Sequence, residues 1–73
     1  MKLNFSKNSK GKNTIKFFDA KSRMVSVVES DPIGKEQSIW CGYDTGDRMR
    51  LTQTQAHALA EQLEKFSVTG TLE

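Results

Sequence analysis

Residues 40–51 read "WCGYDTGDRMRL", and the fold turns on whether they form half of a catalytic centre or a turn between two strands. Asp44-Thr45-Gly46 is the tripeptide found at the catalytic carboxylate of aspartic proteases. That chemistry needs two carboxylates sharing one proton, so a single copy would have to be supplied twice, by two chains. It also needs the motif held among apolar residues. Here Tyr43 precedes the triplet and Asp47-Arg48-Met49-Arg50 follows it, which puts charges where a buried dyad needs apolar neighbours. A β-hairpin accounts for the same residues. With Thr45-Gly46 at the tip and glycine supplying the positive φ, Asp44 faces Asp47, Tyr43 faces Arg48, Gly42 faces Met49, Cys41 faces Arg50 and Trp40 faces Leu51. Side chains alternate along a strand. This register therefore predicts Trp40, Met49 and Leu51 on one face, beneath a helix, and Cys41, Tyr43, Arg48 and Arg50 on the other.

Upstream, "KLNFS" (2–6) and "TIKFF" (14–18) read as two short strands with alternating apolar positions, joined by the turn-forming "KNSKGKN". "DAKS" (19–22) offers a second turn. "RMVSVVES" (23–30) reads as a valine-rich third strand, with Val25 and Val27 on one face and Met24 and Val28 on the other. "DPIGKEQ" (31–37) is the clearest break, because Pro32 and Gly34 interrupt regular pairing. "SIWCGYD" and "DRMRL" supply strands four and five.

Downstream, "TQTQAHALAEQLEKFSVTG" (52–70) reads as a helix. Thr52 with Gln55 three residues on is a capping box, and Leu51 with Ala56 is placed for a weak hydrophobic staple. Ala56, Leu59, Ala60, Leu63 and Phe66 form one apolar stripe. Gly70 suits the left-handed closing position, with Leu72 folding back after it. The expected fold is α+β, one domain over residues 1–73: a β-meander over 1–51, forming an antiparallel sheet of four to five strands whose order the pattern leaves open, with the C-terminal helix of 52–70 packed on one face.

The chain has 73 residues, 36% hydrophobic and 27% charged, the balance of a small globular domain rather than a disordered chain. Its single cysteine, Cys41, excludes an internal disulfide, and its N-terminus lacks the apolar stretch of a signal peptide. A cytoplasmic location is the expectation. One histidine (His57) and one cysteine are too few for a structural zinc site. There is no phosphate-cradling glycine loop, so no cofactor, metal or catalytic set is expected and a non-enzymatic role is preferred.

Charge is unevenly placed. Residues 1–25 carry seven cations and one acid, 7 − 1 = +6, and residues 26–73 carry four cations and eight acids, 4 − 8 = −4. Lys7, Lys10, Lys12, Lys16 and Lys21 are candidate phosphate contacts. Phe17 and Phe18 point to opposite faces, so Phe18 is left as a stacking surface near them. Tyr43, Arg48 and Arg50 form the candidate partner-binding set, since tyrosine and arginine are enriched at interface hot spots.

The C-terminal half has a further pattern: Ile39-Trp40, Gly42, Arg48-Met49, Leu51-Thr52, Gln55, Leu59, Leu63, Phe66, Thr69-Gly70 and Leu72. In this it resembles small uncharacterised proteins of tailed phages and prophages. The resemblance covers about half the chain, and most of its positions are also those read as core, cap and turn. It implies a phage origin and a non-enzymatic accessory protein that binds a host protein inside the host cell, including inhibition of a host defence in the manner of an anti-CRISPR protein. The alternative is a nucleic-acid-binding module built on the basic N-terminal hairpin. A homodimer through an uncovered sheet face or an edge strand is compatible with either.

Overall fold

The computed structural model describes residues 1–72. Five strands form one antiparallel sheet in sequence order: β1 (Asn4–Lys7), β2 (Asn13–Phe18), β3 (Met24–Ile33), β4 (Glu36–Tyr43) and β5 (Arg48–Thr52). A single helix, α1 (Gln53–Thr69), follows without a break. The class is the expected α+β one, and the sheet is a simple meander.

Short carboxylate and amide side chains build the turns. Asn8 Oδ1 accepts from the backbone N–H groups of Lys10 and Lys12 at 2.9 and 3.0 Å. Asp19 Oδ1 accepts from those of Lys21 and Arg23, both at 2.9 Å. Each loop closes on its own side chain, and the Arg23 N–H, the largest influence, holds Asp19 below the usual carboxylate range.

The third strand runs further than its sequence pattern indicates. Pairing continues past Ser30 to Ile33↔Glu36, with an irregularity between Ser30 and Ile33 that takes in Pro32. A bulge tolerates proline because the missing N–H is not needed there. The same irregularity leaves the Asp31 carbonyl to side chains. It accepts from Ser38 Oγ at 2.6 Å and Arg50 Nη2 at 2.8 Å.

The β4–β5 hairpin differs from the expected register by one residue. The pairs are Gly42↔Arg48, Cys41↔Met49, Trp40↔Arg50, Ile39↔Leu51 and Ser38↔Thr52. The positive φ falls on Gly42, at 156°, and not on Gly46. Beyond Gly42 the fourth strand follows β3 instead of β5. Tyr43 pairs with Val25, Arg23 lies over the Tyr43 ring at 4.2 Å and donates to its hydroxyl, and the Asp44 N–H donates to the Met24 carbonyl at 3.0 Å. A one-residue slip moves every side chain of a strand to the opposite face. Trp40 therefore shares a face with Arg48 and Arg50, while Met49 and Leu51 share the other with Cys41 and Tyr43.

The helix is capped as its sequence requires. Thr52 Oγ1 accepts from Gln55 N–H at 3.2 Å, and Gln55 Oε1 accepts from Thr52 N–H at 3.1 Å. Gly70, at φ 78°, donates its N–H to the Phe66 carbonyl at 2.8 Å. A tertiary contact adds to this start: Glu36 Oε1 accepts from Thr54 N–H at 2.8 Å and Thr54 Oγ1 at 2.6 Å. Beyond its first turns the helix stands clear of the sheet. Ala56 is half-buried near Ile39 and Leu51, but Leu59, Leu63 and Phe66 are 37%, 56% and 50% exposed. Leu72, expected to fold back, is exposed as well.

The Thr54 hydroxyl and then its N–H lower the Glu36 pKa below the ordinary 4.5. A carboxylate depressed in the folded state stabilises above its unfolded pKa and stops doing so as pH falls through the folded value. Acidification below pH 4.5 is therefore expected to loosen the start of α1 before the sheet. Amide exchange at Thr54 should accelerate on acidification more than the intrinsic rate accounts for, and Glu36→Ala should abolish that pH dependence. A Thr54 amide equally protected with and without the Glu36 carboxylate would show that the capping box suffices.

Candidate functional site

The corrected register assembles a site on the Trp40 face. One row across the sheet is Lys16–Ser26–Gly42–Arg48, and the next is Thr14–Val28–Trp40–Arg50. In the first row the two middle residues are small and the two outer ones are long cations. That shape is a trough about three strand spacings, roughly 14 Å, from wall to wall. The indole of Trp40 stands beside it in the second row.

The three buried residues of the described chain, Thr14, Ser26 and Ser38, all lie on this face. None is hydrophobic. Thr14 Oγ1 and Ser38 Oγ donate to backbone carbonyls. Ser26 is fully buried, and its Oγ has no hydrogen-bond partner among the described residues. A hydroxyl left unpaired costs free energy, and this one lies in the trough floor between Lys16 and Gly42.

Beside this row, over Thr14 and Val28, is an open groove of ≈ 400 Å³ lined also by Lys10, Lys12, Lys16, Trp40 and Arg48, with Glu29, Asp31 and Asp44 along it. Lys12 pairs with Asp31 at 3.5 Å and Lys16 with Asp44 at 3.4 Å. Asp44, the aspartate of the Asp-Thr-Gly triplet, is thus the counter-ion of a surface lysine. Such exposed pairs contribute little and open readily. Lys10 and Arg48 have no ion-pair partner among the described residues. Glu29 accepts from Asn13 N–H at 2.8 Å, and that bond keeps its carboxyl below the usual glutamate range.

The arginines differ in freedom. Arg50 is tied down, with Nε donating to Ser38 Oγ at 3.2 Å and Nη2 to the Asp31 carbonyl. Arg48 is exposed. Their guanidinium carbons lie 5.2 and 5.7 Å from the Trp40 ring centroid, within cation–π range. Arg50 therefore orients the indole, and Arg48 is the unpaired wall of the trough among the described residues.

The residues singled out from the sequence separate into two groups. Lys10, Lys12 and Lys16 join Arg48 at the groove, and Arg50 lies against the Trp40 ring beside it. Lys7 does not; it lies on the other side of the strand alternation and donates to Asn13 Oδ1 at 2.7 Å. Lys21 sits in the Asp19–Ser22 turn, at the opposite end of the sheet from Lys10 and Lys12. The set Tyr43, Arg48 and Arg50 is divided, because Tyr43 faces Arg23 on the far side. Phe18, 57% exposed, lies outside the groove. Trp40 is the residue that sequence reasoning misplaced, assigning it to the face beneath the helix. Its Val28 partner in the adjacent strand would have marked the correct face, since Met24 and Val28 share parity on β3.

Among the described residues, no three His, Cys, Asp or Glu side chains gather as a metal-binding group, and no helix is long and apolar enough to cross a membrane. Compared with protein-family models, curated proteins and solved structures, the chain gives no match.

Proposed function

We propose that this chain is a non-enzymatic binding module for single-stranded nucleic acid, with the Trp40 groove as its site. The observation that carries this reading is the convergence of Lys10, Lys12 and Lys16 with Arg48 around one accessible indole, from segments more than thirty residues apart in sequence. Single-strand binders combine a cationic groove that follows the phosphates with an aromatic side chain on which a base stacks. Lys16 and Arg48 supply charge on the two sides of the trough, Lys10 and Lys12 extend it toward the β1–β2 loop, and Trp40 supplies the platform. The alternative of a phage-type accessory protein acting on a host protein rests on the sequence resemblance. Its named surface, Tyr43 with Arg48 and Arg50, is split between two faces, so the nucleic-acid reading is preferred.

Trp40 is the only tryptophan, so its fluorescence reports on the groove directly. Titration with oligo-dT should quench it. The log–log dependence of affinity on salt should have a slope of about −2 to −3, from three or four phosphate contacts on a single strand. Lys16→Glu with Arg48→Glu should remove binding at every salt concentration while leaving the fold intact. Unquenched fluorescence with oligo-dT and oligo-U in low salt would reject the reading. Capture of a host protein by the nuclease-treated chain, dependent on Arg48, would favour the alternative.

A further inference from the structure

The face of the sheet opposite Trp40 is apolar across its middle, with Lys7, Asn13 and Glu29 toward one end. By register it carries Phe5, Ile15, Val27, Cys41, Met49 and Leu51 on neighbouring strands. Only the first turn of α1 reaches it, with Ala56 near Ile39 and Leu51; no hydrophobic residue among those described is buried, and Phe5 and Met49 are 73% and 48% exposed. The apolar stripe of α1 is equally open, with Leu63 and Phe66 half exposed. One chain thus holds two complementary apolar surfaces and closes neither.

We infer that the occupant of both surfaces is a second copy of this chain, with α1 of each copy laid on the apolar sheet face of the other. Three magnitudes support a second copy. A folded monomer of 8.2 kDa exposes about 4,500 Å², whereas this chain exposes 5827 Å². The excess of roughly 1,300 Å² exceeds the roughly 800 Å² per partner of a standard interface. The radius of gyration is 13.2 Å, against about 11 Å for a compact chain of this length. Finally, α1 has 17 residues, about 26 Å of helix, enough to cross five strands spanning about 19 Å. In such a pair both Trp40 grooves face outward.

Light scattering across a range of chain concentrations tests this. The wild-type chain should scatter as twice 8.2 kDa at micromolar concentration, and its thermal midpoint should rise with concentration. Leu63→Glu with Phe66→Glu should weaken association roughly 100-fold or more and speed labelling of Cys41 by a maleimide, because its face loses its cover. Should that variant unfold, the concentration dependence of the wild-type midpoint still decides. A wild-type chain that is monomeric at 100 μM (about 0.8 mg/ml for a chain of 8.2 kDa) with a concentration-independent midpoint overturns the inference, as does a dimer indifferent to charge on the helix stripe. Neither readout involves nucleic acid, so failure here leaves the groove reading intact.

Discussion

Replacing Gly42 with alanine is expected to lower the unfolding free energy by about 2–4 kcal/mol. A Cβ at this position would stand 2.8 Å from both Arg48 Cα and the Asp47 carbonyl oxygen, closer than real Cβ atoms approach. Both are backbone groups, so no side chain can swing aside. The φ of 156° adds strain for any residue with a Cβ. A chain of this length has about 4–11 kcal/mol in total at roughly 0.05–0.15 kcal/mol per residue, so the loss is a large share. Urea unfolding followed by circular dichroism measures it. A midpoint equal to wild type would mean that β5 can pair without the close approach. The substitution should also disturb the groove, since Arg48 is the residue displaced, whereas the helix cap at Thr52 and Gln55 lies at the other end of β5 and should persist.

Trp40→Ala should weaken single-strand binding by about 1–3 kcal/mol, roughly 5- to 150-fold, which is the range for one base stacked on one aromatic. Because the indole carries no charge, the salt dependence should keep its slope while the whole line drops. Arg48→Gln should do the reverse, flattening the slope by about 0.7 for one lost phosphate contact. Trp40→Phe keeps a stacking surface and should retain most of the affinity, which separates stacking from a loss of folding. Anisotropy of a labelled oligonucleotide reads all three variants. If Trp40→Ala bound as tightly as wild type, with the same slope, the base would have to lie elsewhere and the groove would reduce to a cationic patch.

What could be read in advance follows the range of the interactions. The Thr52–Gln55 box, the Gly70 close and the Asp19 turn each depend on residues within four positions, and each forms where the sequence places it. Alternating apolar runs separated by turn residues set the strands at four or five but not their order in the sheet, which only the structure gives. The register of β4 and β5 did not follow from local rules. The Asp-Thr-Gly triplet is compatible with a two-residue turn, and the hairpin it implies pairs Tyr43 with Arg48. That pairing is prevented by Arg23 and Met24, twenty residues upstream, which hold Tyr43 and the Asp44 N–H against β3. Turn formation is worth less than these contacts together with the alignment of Val25, Val27 and Val28 along β4.

The sequence by itself determined an α+β chain whose four to five strands lead into a capped helix, because capping, turn chemistry and hydrophobic period act over a few residues. Only the tertiary structure decided which side of the sheet each functional residue occupies. Side chains alternate with a period of two, so one residue of slip between β4 and β5 exchanges the faces completely. That slip, set by the close approach at Gly42 and by contacts from β3, moves Trp40 from an expected interior to a groove between Lys16 and Arg48.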